Sequence, residues 1–187
     1  MKFFNLLSFA TIIAFSLVLT SCDKDDPEIP NEEELITTVN FTLTPVDGGD
    51  SVTMSFEDLD GDGEEEPVIV GGTLSAFTVY NGSLDLLNKT ETPAESVTEE
   101  IEEEDDEHQF FFETTVPGLT VVYSDADDDD FPVGLLTSVS TGDVGTGTLT
   151  VTLKHEPVKD AEFVAQGDIT NAQGETDIQV TFPVNVQ

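Results

Sequence analysis

Apolar and polar residues alternate with a period of two along most of this chain, and only an extended strand gathers such a pattern onto one face. Val39, Phe41 and Leu43 alternate with Asn40, Thr42 and Thr44. The same pattern returns at Val52, Met54 and Phe56, at Leu119, Val121 and Tyr123, and at Leu149, Val151 and Leu153. It closes the chain at Ile178, Val180, Phe182 and Val184. Threonine fills many of the alternate positions, where a β-branched polar side chain suits a solvated strand surface. Asp47-Gly48-Gly49-Asp50 and Tyr80-Asn81-Gly82-Ser83 carry residues that accept positive φ, so both are expected as hairpin turns. The expected fold is all-β: an antiparallel two-sheet sandwich, immunoglobulin-like or duplicated, wet on its outer faces.

The two halves also match. "SVTMSFEDLDGDG" corresponds to "LTVVYSDADDDD", "GSLDLLNKTETP" to "GTLTVTLKHEP", and "EHQFFF" to "ETDIQV". The spacing implies a tandem duplication of a unit of roughly 67 residues, with halves at about 38–108 and 109–187 of a single domain spanning 35–187; the alternative is chance likeness among Thr- and Asp-rich strands. Thr92-Pro93-Ala94-Glu95 interrupts the strand pattern with an N-cap threonine, a proline at the first helical position and a glutamate at the third. One short acidic helix is expected near 93–104, packed through Ala94, Val97 and Ile101. It ends in Glu102-Glu103-Glu104-Asp105-Asp106-Glu107, six acids where the helix dipole favours cations, so this end either frays or meets a positive group. Phe110-Phe111-Phe112 is expected as a central strand covered on both faces, by the opposite sheet and by the helix; the alternative is an exposed aromatic that grips a partner or ligand. The segment from Pro157 to Gly174 carries a weaker helical pattern.

Charge narrows the partners. The chain has 5 basic and 40 acidic residues, a net charge of −35, and no arginine. Nucleic acid is excluded, because phosphate contacts need clustered Lys and Arg, and adsorption to anionic lipid headgroups is disfavoured. Divalent cations and basic partners remain. The first 21 residues, one lysine and an apolar run ending in small residues, read as a secretory signal. Leu19-Thr20-Ser21-Cys22 resembles the lipobox of bacterial lipoproteins, which implies cleavage before Cys22 and a membrane anchor on that residue. Cys22 is the sole cysteine, so no intramolecular disulfide forms. Asp23-Lys24-Asp25-Asp26 resembles the signal that exports lipoproteins to the outer face of the outer membrane, and residues 22–34 suit a flexible tether.

Two acidic loops point to Ca²⁺, a hard cation that takes six to eight oxygens. Asp58, Asp60 and Asp62 alternate before Gly63, resembling the first half of an EF-hand loop and the loops of dockerin and thrombospondin type 3 repeats. Ile69 stands where an EF-hand has its bidentate glutamate, and Glu66 is the nearest substitute. Asp125, Asp127 and Asp129 keep the spacing without the glycine. The alternative for both loops is a hydrated turn that keeps an acidic protein soluble. His108 and His155 are the only histidines; with Asp105, Glu107 and Glu156 they supply donors for a zinc or other transition-metal site, provided the fold joins them, and the alternative is two ordinary surface residues.

Catalysis has little support: the one cysteine is committed to lipid, and no arginine is present to clamp an anionic substrate. The stretches "DLDGDG", "ETPAE", "EEEDDEHQFFF" and "GDITNAQGETDIQVTF" resemble a group of small acidic bacterial outer-membrane lipoproteins, some of them labelled type 1 periplasmic-binding-fold proteins. That label implies two α/β lobes, which the strand pattern here does not provide. The resemblance implies instead a surface-exposed binding or accessory lipoprotein working beside a TonB-dependent outer-membrane transporter. The alternative is a calcium-stabilised adhesion or envelope-structural module.

Overall fold

In the computed structural model, which describes residues 35–59 and 66–187, each of the alternating segments becomes a strand. The signal segment, the tether with Cys22, and Asp60 and Asp62 lie outside the described residues. The strands are β1 Thr38–Pro45, β2 Val52–Glu57, β3 Val68–Val70, β4 Gly72–Leu74, β5 Val79–Asn88, β6 Glu95–Ser96, β7 His108–Thr114, β8 Thr120–Tyr123, β9 Leu136–Ser140, β10 Gly145–His155 and β11 Glu175–Val186. Among the described residues one helix, α1, spans Val97–Glu103, and two 3-10 turns occupy Val164–Gln166 and Ile169–Asn171.

One sheet runs β3-β2-β1-β5-β9-β8, with β6 paired to part of β5; the other runs β4-β11-β10-β7. Every pairing is antiparallel except β4 with β11, which is parallel. Phe41, Leu43, Met54 and Leu86 from the first sheet meet Phe110, Leu149, Leu153 and Phe182 from the second in one core, all fully buried. The threonines face outward and bond across strands: Thr42 to Thr53 and Thr150 to Thr181, each at 2.9 Å between hydroxyls. The two long strands matched by the internal repeat, β5 and β10, lie inside different sheets, whereas the matched pair β7 and β11 together flank β10.

Three expectations need correction. Asp47–Asp50 joins β1 to β2 as a hairpin, but Tyr80–Ser83 lies inside β5. Gly82 is there because the backbone is crowded: a Cβ would sit 2.4 Å from Thr137 Oγ1 and 2.9 Å from Phe41 Cε2. A glycine within a strand marks close approach as readily as a turn.

The helix starts later than Thr92. Glu95 and Ser96 pair with Asn88 and Leu87, which keeps the backbone extended to that point. Ser96 is the N-cap, its hydroxyl accepting from the Glu99 N–H, so the signal is Ser96-Val97-Thr98-Glu99. Val97 and Ile101 are buried as expected, while Ala94 is exposed.

Phe110 and Phe111 are buried and Phe112 half-buried, but on an edge strand of their sheet. Phe110 enters the main core, and Phe112 packs against it. Phe111 points to the opposite face, where Val164 and Ala172 of the Pro157–Gly174 segment cover it, not the helix. Apolar residues of that weakly patterned segment are thus a lid over a second, smaller core.

Candidate metal centre

β7 and β10 pair in register down to His108 opposite His155. Both share the parity of Phe110, Val151 and Leu153, so both rings turn to the core side at the rim of the sheet. They are 0% and 2% exposed, with ring centroids 4.5 Å apart. The long sequence separation between them closes through strand pairing alone.

A third side chain arrives through an irregularity. Along β11, Val180, Phe182 and Val184 face the core, so an unbroken strand would turn Asp177 outward. The register slips between Leu153 and Lys154: Leu153 lies opposite Ile178, yet Lys154 lies opposite Thr176. Asp177 is the extra residue, and a bulge of this kind re-aims a side chain. Its carboxylate is 1% exposed, with Oδ1 3.8 Å from His155 Nδ1. Lys154 fastens the approach to the bulge, its ammonium donating to the Gly174 carbonyl at 2.9 Å and the Thr176 hydroxyl at 3.0 Å. Gly174, at φ +62°, is required there, because a Cβ would lie 2.2 Å from the His155 carbonyl oxygen.

Two glutamates stand at the mouth. The Glu156 N–H donates to the Glu107 carbonyl at 2.7 Å, which holds these exposed neighbours of the histidines together. Glu107 Oε2 lies 3.7 Å from His155 Nε2, so the imidazole turns one nitrogen toward Asp177 and the other toward Glu107. Donor atoms of His108, His155 and Asp177 all lie within 4.8 Å of one another, as do those of Glu107, His155 and Glu156.

These donors suit a borderline transition ion such as Zn²⁺. Bonds of 2.0–2.1 Å in a tetrahedron put donors about 3.3 Å apart, so small side-chain rotations would close the inner group around an ion. His108 is already oriented: its Nδ1 is 3.0 Å from the Glu104 carbonyl oxygen, which can only accept. Nδ1 therefore carries the hydrogen, and in the neutral ring Nε2 holds the lone pair, the usual backing of a metal-ligating histidine. Asp105 is not part of either group among the described residues.

In the second acidic loop two of the three carboxylates bond to the protein's own donors. Asp125 accepts from the N–H groups of Gly134 and Leu136 at 2.8 and 2.7 Å. Asp127 accepts from the N–H groups of Asp129 and Phe131 through Oδ1, and from the Lys159 ammonium at 2.8 Å through Oδ2. Burial works to raise the Asp127 carboxyl, but the bond to Lys159, the two backbone donors and the lysine charge outweigh it and hold it below the ordinary carboxylate range. Asp129 is exposed. These three carboxylates form no converging group with one another among the described residues. Of the first loop, Asp58 is half-buried and Glu66 exposed. Lys159 also donates to the Asp105 carbonyl, so it is the positive group at the acidic end of the helix segment.

Asp177 and Lys159 are the residues that sequence reasoning missed. An aspartate interrupting the β-rich run "ETDIQV" was the one available signal for the first. Compared with models of protein families, with curated proteins and with solved structures, the chain finds no match in any of the three.

Proposed function

We propose that this protein is a lipid-anchored, non-catalytic metal-binding accessory of the bacterial outer membrane. It captures a divalent transition-metal ion, with zinc as the best-fitting class, beside an outer-membrane transporter of the TonB-dependent kind. The observation that carries the reading is the burial of His108, His155 and the Asp177 carboxylate around one point at the rim of a sheet. Two imidazoles and one carboxylate are a ligand set for zinc and its neighbours, whereas calcium wants a shell of oxygens. The anchor rests on Leu19-Thr20-Ser21-Cys22, and the outward face on Asp23-Lys24-Asp25-Asp26. A net charge of −35 enriches cations around such a molecule.

Thermal unfolding of the full chain in detergent, stripped with EDTA and titrated with Zn²⁺ or Ca²⁺, tests this. Zinc at a hundred times its dissociation constant stabilises by about 2.7 kcal/mol, a rise of roughly 5–10 °C for a domain of this size. Asp177→Asn and His155→Gln are expected to remove that rise. Equal stabilisation by calcium, or none by zinc, overturns the reading.

A further inference from the structure

We propose that the metal centre is loaded in two steps that share His155: an outer position formed by Glu107, His155 and Glu156, and an inner position formed by His108, His155 and Asp177. The inference rests on the metal-binding reading above and adds the route by which the ion enters. Three observations carry it. The two groups of donors overlap in one residue, and each converges within 4.8 Å. The outer glutamates are exposed, while the inner side chains are 0–3% exposed, so an ion coming from water meets the glutamates first. The shared imidazole points Nε2 at Glu107 and Nδ1 at Asp177, one nitrogen for each position.

The chemistry of imidazole then sets the stoichiometry. A neutral ring has one lone pair on nitrogen, so His155 serves one position at a time, and the inner and outer sites exclude each other. An ion held outside by two carboxylates, the His155 ring and water keeps much of its hydration. Passing inward, it exchanges the carboxylates of Glu107 and Glu156 for the carboxylate of Asp177 and the ring of His108, while the proton on His155 moves from Nδ1 to Nε2. The charge of the ion is met by carboxylate at every stage, so no step leaves a bare divalent ion in a buried space. The paired main chains of Glu107 and Glu156 keep the two outer carboxylates beside the strand ends that bear the histidines.

Cobalt(II) tests both steps, because a six-coordinate, oxygen-rich site absorbs weakly and a four-coordinate site with two imidazoles absorbs strongly. Stopped-flow mixing of the metal-free full chain with Co²⁺ is expected to give a strong visible band whose rate saturates as Co²⁺ increases, with one ion per chain at the end point. Glu107→Gln combined with Glu156→Gln, both at exposed positions, is expected to slow appearance of the band at least about tenfold and to abolish the saturation. A rate that stays linear in Co²⁺ for the wild type, an unchanged rate in the double variant, or two ions per chain overturns the two-step route while leaving metal binding intact. Absence of any band with the wild type, together with no change in its melting temperature, overturns metal binding itself.

Discussion

Asp127→Asn isolates a charge pair that the alternating aspartates conceal. The Lys159 ammonium lies 2.8 Å from Asp127 Oδ2, and the two side chains are 5% and 1% exposed. Asparagine keeps an oxygen for the Asp129 and Phe131 N–H groups, so the turn survives, but the lysine loses its counter-charge and retains the Asp105 carbonyl. Breaking one side of a buried pair costs about 3–5 kcal/mol, because the remaining charge stays out of water. At 2–4 °C per kcal/mol for a domain of this size, the melting temperature is expected to fall by roughly 6–20 °C at pH 7. Urea unfolding followed by circular dichroism supplies the free energy. Adding Lys159→Met to the same chain is expected to recover at least about 1 kcal/mol of it, since no orphaned ammonium remains. The pH dependence carries the opposite sign to the usual intuition about acidic proteins. A carboxyl held below its ordinary value contributes stability above about pH 4, and that contribution is lost as pH falls through the folded value. The gap between wild type and Asp127→Asn should therefore narrow below pH 4. A variant within about 1 kcal/mol of wild type at pH 7 would refute the argument that this pair is desolvated and structural.

Gly82→Ala is expected to destabilise by about 1–3 kcal/mol in the same assay, since the new methyl meets Thr137, Phe41 and Leu43 inside the sandwich; a neutral effect would mean the sheets have room to part. Burial pushes the Tyr123 hydroxyl up to about 12, the bond from Gln109 opposes this, and the charge of Asp125 adds to it. The folded state thus holds a proton that the unfolded chain gives up near pH 10, so stability falls between pH 10 and 12, by about 2–3 kcal/mol. Tyr123→Phe, which also loses the bond to the Phe110 carbonyl, should be less stable at pH 7 and flatter across that interval. Parallel stability curves for the two proteins would refute it.

Alternation by itself determined the strands, because a period of two has meaning only for an extended chain, and the parity of Phe41, Leu149 or Phe182 already names the face each one buries. The capping pattern Ser96-Val97-Thr98-Glu99 is equally local, although Thr92-Pro93-Ala94-Glu95 upstream carries the same kind of signal. The acidic spacing of Asp125 and Asp127 was visible too, but its use was not. Whether a carboxylate meets an ion, a lysine or backbone N–H groups depends on what the fold brings within 3 Å, and Lys159 comes from another loop. The pairing of His108 with His155 is a matter of register, which the rest of β7 and β10 decides. Asp177 joins them only because β11 slips by one residue against β10, and a slip of one residue reverses which face a side chain takes. Sequence thus sets which residues can be inside and what chemistry each one carries. Only the tertiary structure decides which of them meet, because strand order, register and a single bulge are settled by packing across the whole sandwich.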